Sequence, residues 1–232
     1  MSLEITDLSA GYDGTPILRD VDCRIDESEI VGIMGKNGVG KTTLLKTVMG
    51  LLEPDTGSVR YRGEDITGRS ADERASLGVG YVPQGRDVFP GLTVEENLLI
   101  GENVGSGDAT LYDRVYEYFP ILEDRATQDA DTMSGGQQQM LAIGRALVGD
   151  PDLLLVDEPS EGVQPSIVQS ITADLARINE DLGTTILFVE QNLSVIQTLA
   201  DRCYAMDKGR IVNELDETDL DDREQLTAHL VV

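Results

Sequence analysis

The residues that most restrict what this chain can fold into are Gly35-Lys36-Asn37-Gly38-Val39-Gly40-Lys41-Thr42, a match to G-x-x-x-x-G-K-[ST]. They follow the compact apolar run 29–34, which reads as a buried central strand, and precede a helical pattern from Lys41 to Leu51. Between a strand and a helix, glycines let backbone N–H groups turn inward around a pyrophosphate, where a Cβ would collide. The positive end of the helix faces the same anion. Lys41 adds a mobile charge for the β- and γ-phosphates, and the Thr42 hydroxyl is placed to bind Mg²⁺. Three of the chain's four lysines (Lys36, Lys41 and Lys46) fall within eleven residues here, while arginine occurs fourteen times.

Such a loop needs a sheet behind it, and the rest of the sequence supplies one. Alternating segments near Leu3–Leu8 and from Ile17 to Ile25 predict strands with one wet face, as does the short segment Ser58–Arg62. Gly78–Val82, Leu153–Val156, Thr184–Val189 and Arg202–Met206 predict further strands, Leu153–Val156 the clearest buried one. Helices are expected after Thr93, over Gln138–Val148, and where Ile167, Ile171, Leu175, Ile178 and Leu182 form a one-sided stripe. Alternating strands and helices predict an α/β fold, a largely parallel sheet covered on both faces. From Gln84 to about Arg125 strand signals vanish, which reads as a helical insertion.

With 43 Asp+Glu against 18 Lys+Arg, the 232-residue chain carries a formal net charge of −25. That balance argues against nucleic acid or anionic lipid as ligands of the general surface and points to a halophile-style solvated exterior. Cys23 and Cys203 lack metal-ligand spacing and read as small buried hydrophobes in a reducing compartment. No secretory signal and no run of eighteen apolar residues is visible, so a cytosolic location is expected. The segment Asn213–Glu224 holds seven acids and one arginine and reads as a solvated surface segment.

Leu153-Leu154-Leu155-Val156-Asp157-Glu158 delivers two acids at the end of an apolar strand, where open α/β sheets bind ligands. Asp157 would hold Mg²⁺ directly or through water, and Glu158 would orient and deprotonate an attacking water. Ser134-Gly135-Gly136-Gln137 is a second anion-type helix start: Ser134 is a good N-cap and Gln137 its capping-box partner. Two glycines in a first turn weaken a helix, and make sense where a ligand approaches bare N–H groups.

Taken in order, Gly35–Thr42, Gln84, Ser134–Gln137 and Leu153–Glu158 resemble the nucleotide-binding subunit of an ATP-binding-cassette transporter, over essentially the whole chain. The resemblance implies one domain over 1–232. Its P-loop NTPase core of ABC type would take 1–83 and 143–232, with an N-terminal antiparallel β part, and a helical subdomain would take 84–142. It implies ATP and Mg²⁺ as cofactors, with nucleotide contacts from Tyr12, Gly35, Asn37, Gly38, Gly40, Lys41, Thr42 and Thr43. Tyr12 resembles the aromatic that stacks on adenine. Thr42, Gln84 and Asp157 resemble the metal-side residues, and Glu158, Gln84 and Gln191 the catalytic ones. Two copies would sandwich two ATP molecules, each site joining one chain's P-loop to the other's Ser134, Gly135, Gly136 and Gln137.

The chain departs from the general family pattern after Thr184–Val189, where a histidine is expected and Gln191 stands; its one histidine, His229, reads as a surface residue. Gln191 can donate a hydrogen bond to phosphate but carries no charge. The segment 160–165 also lacks the aspartate of the loop that signals across the dimer, leaving Glu161 or backbone contacts for that task. Gln191 with Tyr81–Arg86 and Thr93–Leu98 resembles the branch serving importers of branched-chain amino acids, with urea and short-chain amide importers as the alternative. An exporter ATPase, a soluble clamp and a non-hydrolysing regulator fit less well. The implied partners are membrane permeases, a second ATPase subunit and, indirectly, a solute-binding protein, but not nucleic acid. The implied location is the inner face of the plasma membrane. The apolar group Val88, Phe89, Pro90 and Leu92 is the expected permease contact.

Overall fold

Two kinds of strand pattern in the sequence become two sheets. The computed structural model describes residues 2–102, 110–221 and 226. Its elements run β1 (Leu3–Tyr12), β2 (Thr15–Ile25), β3 (Ile30–Met34), α1 (Lys41–Met49), β4 (Thr56–Tyr61), β5 (Glu64–Asp65), α2 (Ala71–Ser76), β6 (Val79–Val82), α3 (Val94–Glu102) and α4 (Thr110–Tyr118). They continue with α5 (Pro120–Asp124), α6 (Gly135–Leu147), β7 (Leu153–Asp157), α7 (Pro165–Leu182), β8 (Thr185–Glu190), α8 (Leu193–Leu199), β9 (Arg202–Asp207), β10 (Arg210–Leu215) and α9 (Glu217–Asp221).

The alternating segments form an antiparallel sheet of order β2-β1-β4-β5. The apolar runs form a six-stranded sheet, β10-β9-β3-β8-β7-β6, parallel from β9 to β6 and closed by an antiparallel β10. Every residue of β3, β7 and β8 is buried. Successive side chains face opposite ways, so these strands feed two cores. Met34, Leu154, Val156, Ile186 and Phe188 pack on the side of the insertion and α6–α8. Ile33, Leu153, Leu155, Leu187 and Val189 pack with α1 and the antiparallel sheet. Each such side chain stabilises the fold by about 1.5–3 kcal/mol. Among the described residues, the regular elements between β6 and β7 are helices, with one isolated bridge from Thr93 to Asp129. Helix α6 is continuous across residue 143 and belongs to both parts.

Details depart from the sequence expectation for identifiable reasons. Helix α1 stops at Met49, because Gly50 turns left-handed (φ 81°) and its N–H returns to the Thr47 carbonyl. Its last carbonyls are also held by Arg74, 1% exposed, whose guanidinium donates to Thr47 O and Val48 O at 2.8 Å. A cation at a helix C-terminus is favourable on both hydrogen-bonding and dipole grounds. The acidic tail is not simply a solvated segment. Asn213, Glu214 and Leu215 complete the edge strand β10, and Leu215 and Leu220 are buried. Acids suit an edge strand with one wet face, which is why composition alone reads as loop. Residues 222–224 and His229 lie outside the described residues. No helix among the described residues is long and apolar enough to cross a membrane.

Candidate active site

The glycine-rich loop connects β3 to α1 at the carboxyl edge of the six-stranded sheet. A Cβ on Gly35 would stand 2.6 Å from the Met206 carbonyl oxygen, and Gly40, the N-cap of α1, has φ 114°, a left-handed value that disfavours any side chain. No side chain caps the amides of α1. Lys41 folds back through the loop it terminates: its Nζ donates to Gly35 O at 2.8 Å and Lys36 O at 3.0 Å.

Across the cleft, the end of β7 presents its two acids differently. Asp157 accepts from the Thr42 hydroxyl at 3.0 Å and from the Tyr81 hydroxyl at 3.4 Å. Burial pushes its carboxyl up from 3.8 to about 6, against the Thr42 hydrogen bond and with the neighbouring Glu158 charge. Glu158 has a left-handed backbone (φ 45°) that swings its side chain away from the strand's alternation. Its Oε1 lies 3.0 Å from Lys41 Nζ, with both side chains almost fully buried. Its Oε2 is buried with no hydrogen-bond partner among the described residues.

Tyr12, Asn37, Lys41, Thr42, Gln84 and Glu158 line one open cleft of about 380 Å³, with Gly38, Gly40 and Thr43 on its wall. Tyr12 is 44% exposed in this lining, as a residue offered for stacking would be. Gln84 lies in the cleft, with its amide donating to Glu161 Oε2 at 2.9 Å. Gln191 is not brought in: its side chain is exposed beyond the end of β8 and away from the cleft lining. The Ser134–Gln137 turn is also elsewhere. It heads α6 with a complete capping box, Gln137 N donating to Ser134 Oγ and Ser134 N to Gln137 Oε1. A Cβ on Gly136 would come within 2.5 Å of Ile167 Cγ2, so this glycine is demanded by packing against α7 within the chain itself.

The sequence reading missed Glu190 and the charged partners of the loops. Glu190 is 1% exposed; its Oε1 accepts from Ser160 N and its Oε2 from Gln191 N and Asn192 N, all at 2.9 Å. The signal was legible: an acid closing a wholly buried strand requires donors. Tyr81, the second partner of Asp157, carried no comparable signal.

The residues present fit a magnesium nucleotide. A cradle that a Cβ would fill, uncapped helix amides, a cation buried in the loop and an acid–hydroxyl pair at its edge match the polyphosphate and its counterion. The unpartnered Glu158 oxygen suits a water to be activated beside them.

Comparisons with known proteins agree. Residues 18–161 match the ABC transporter family. The chain is 44% identical over 212 residues to the high-affinity branched-chain amino acid transport ATP-binding protein BraG of Pseudomonas aeruginosa, covering 90% of this chain and 91% of that one. It is 37% identical over 211 residues to a probable branched-chain amino acid transport ATP-binding protein, LivF, of Archaeoglobus fulgidus, covering 90% and 89%. Among solved structures, the dimeric ATP-binding cassette MJ0796 in a post-hydrolysis state bound to ADP and Pi superposes with a TM-score of 0.84 at 25% identity, over 93% of this chain and 98% of that one. The cleft and these likenesses together place the chain in the ABC transporter family, as an ATP-hydrolysing cassette.

Proposed function

We propose that the chain is the ATPase subunit of an importer of branched-chain amino acids, hydrolysing ATP to ADP and phosphate on the inner face of the membrane to drive uptake. The observation that carries the hydrolytic reading is the arrangement of Lys41, Thr42 and Glu158 in one cleft, with Asp157 hydrogen-bonded to Thr42 behind it. The substrate class rests on the two branched-chain relatives. A methionine import ATP-binding protein of Rhizobium etli is 35% identical and a sulfate/thiosulfate one of Pseudomonas syringae is 32% identical, so cassette sequence tracks solute weakly.

In this reading the 35–40 loop and Lys41 hold the polyphosphate, and Tyr12 stacks on the base, worth about 1–3 kcal/mol. Thr42 and Asp157 hold Mg²⁺, with Gln84 on the same side; the ion supplies neutralisation of the phosphate charge when bound. Glu158 orients the attacking water through its open Oε2 and takes its proton, while Lys41, 3.0 Å from Oε1, holds the carboxylate in place. A second ATPase chain supplies Ser134, Gly135, Gly136 and Gln137 to the site, and Gln191 reaches the phosphates only in that assembled state. The insertion, 84–142, turns against the core as a subdomain. Permeases dock in the groove of about 280 Å³ between Met49, Tyr81, Phe89, Ile100, Arg145 and Pro151. Leu51, Phe89 and Leu99 are exposed apolar residues of an otherwise acidic chain.

Glu158→Gln tests the reading. Turnover is expected to fall by about 10²–10⁴-fold, with ATP-bound dimers accumulating in light scattering. Near-normal hydrolysis would remove Glu158 from its role. The solute is tested by identifying what the copurifying solute-binding protein holds: a branched-chain amino acid supports the proposal, and urea or an amide replaces it.

A further inference from the structure

The loop after β6 is strained and heavily braced. Gly85, Arg86 and Asp87 are consecutive left-handed residues with φ of 82°, 75° and 42°. For Arg86 and Asp87 this backbone is disfavoured and persists only where the surroundings impose it. The bracing comes from both ends of α6. At its last turn Arg145 donates to Asp87 O at 2.8 Å and lies over the Phe89 ring, 4.9 Å from its centroid. At its first turn the Arg86 guanidinium sits against Gly135, where an added Cβ would be 3.0 Å from Nη1. Those two contacts lie about 15 Å apart along α6, at 1.5 Å per residue. The same Arg86 Nη2 donates to Glu161 O at 2.9 Å and Gly162 O at 3.1 Å, beside the bond from Gln84 to the Glu161 carboxylate.

We infer that Arg86 is a positioning residue: its guanidinium locks the first turn of α6 to the 160–162 loop, so that Gln84 and the Ser134–Gln137 turn shift together with Glu161. Three segments meet at one cation: the loop carrying Gln84, the loop following the two acids, and the start of α6. One nitrogen, Nη2, holds both carbonyls while the guanidinium plane lies against Gly135; a lysine ammonium could reach the carbonyls but has no plane to lay on the glycine. Gly135 is then needed to admit the guanidinium within the chain. The role rests on the proposed ATPase reading and deepens it, because it gives the chain lacking the usual loop aspartate a physical link between Glu161 and the second helix start.

The test compares full-length wild type, Arg86→Lys, Arg86→Ala, Arg145→Ala and the Arg86→Ala/Arg145→Ala double variant. Calorimetric MgATP affinity is expected to stay within about twofold, because the cleft lining is untouched. Turnover at saturating ATP is expected to fall about 10- to 100-fold in each single variant, as for misplaced catalytic groups. Lysine gives no rescue, and the double variant is no worse than the poorer single one, because both act through one loop. Wild-type turnover retained in Arg86→Lys, or losses that multiply in the double variant, would overturn the role. A kcat decline that only parallels lost affinity or a lowered melting point would do the same. A wild type that binds MgATP but does not hydrolyse it would overturn the functional reading beneath it as well, which separates the two failures.

Discussion

The chain carries two glycine-bearing helix starts, and they are built in opposite ways. The first turn of α1 has no side-chain cap; Lys41, Thr42 and Glu158 line one cleft beside it, and Asp157 is hydrogen-bonded to Thr42. The first turn of α6 is closed by its own capping box and is exposed at Ser134. A helix whose amides are left uncapped gives up about 0.5–2 kcal/mol of capping stability in the free protein. That loss is recovered only when an anion arrives. The α1 start is therefore a finished half of a binding site. The α6 start is a self-capped surface element; in the proposed two-chain arrangement it would meet the nucleotide held by the other chain.

Mutations can break this contrast. The largest effect is expected at Lys41. Lys41→Ala should weaken MgATP binding by roughly 100-fold, from loss of about 2–3 kcal/mol of charge-assisted contact. Ser134→Ala should leave the affinity of the single chain unchanged while lowering turnover. Calorimetry alongside phosphate release checks both, and equal affinity losses would make the two helix starts equivalent after all.

Next comes Asp157→Asn. Burial raises the Asp157 carboxyl from 3.8 to about 6, so the folded state keeps a proton that the unfolded chain releases between those values. Above about pH 6 the ionised carboxylate therefore opposes folding of the metal-free protein. The asparagine variant should be more stable by about 2–3 kcal/mol at pH 8 in chelator. That advantage should shrink as pH falls through 6 and disappear below about 4, while Mg²⁺-dependent turnover is lost. Denaturant melts at three pH values check the sign.

A smaller effect is expected at Gly136. Gly136→Ala forces a methyl against Ile167 Cγ2 and should cost about 1–3 kcal/mol through overpacking. Ile167→Ala should restore that stability, and if it also restores turnover, packing alone explains the glycine. Smallest of all, Cys23 and Cys203 are held at about 12 by burial, so neither thiol should alkylate in the folded protein at pH 8. Mass shift before and after denaturation reads this directly.

The legible parts of this protein were those where one residue type answers one physical demand. Strands β3, β7 and β8 are buried on both faces, so they appear as unbroken apolar runs. The stripe on α7 appears because one face packs and the other is wet. Gly40, Lys41 and Thr42 appear because a phosphate loop admits few alternatives. What escaped was short or polar. Helices α2 and α8 have six and seven residues, too few for a period to show. Strand β10 is hidden in acids because only its last residue is buried.

Local sequence thus determined the strand–loop–helix that can hold a phosphate, the two acids behind it, and the alternation that demands a sheet covered on both faces. Each of these is written in neighbouring residues and follows from sterics, hydrogen bonding or burial within a few positions. Tertiary structure alone decided which acid faces which partner: Glu158 with Lys41, Asp157 with Thr42 and Tyr81, and Glu190 with three amides. It also decided that Arg86 would reach across 75 residues of chain to Glu161. Polar contacts of that range leave no periodic trace, because a charged side chain in a loop reads the same whether water or a distant carbonyl satisfies it.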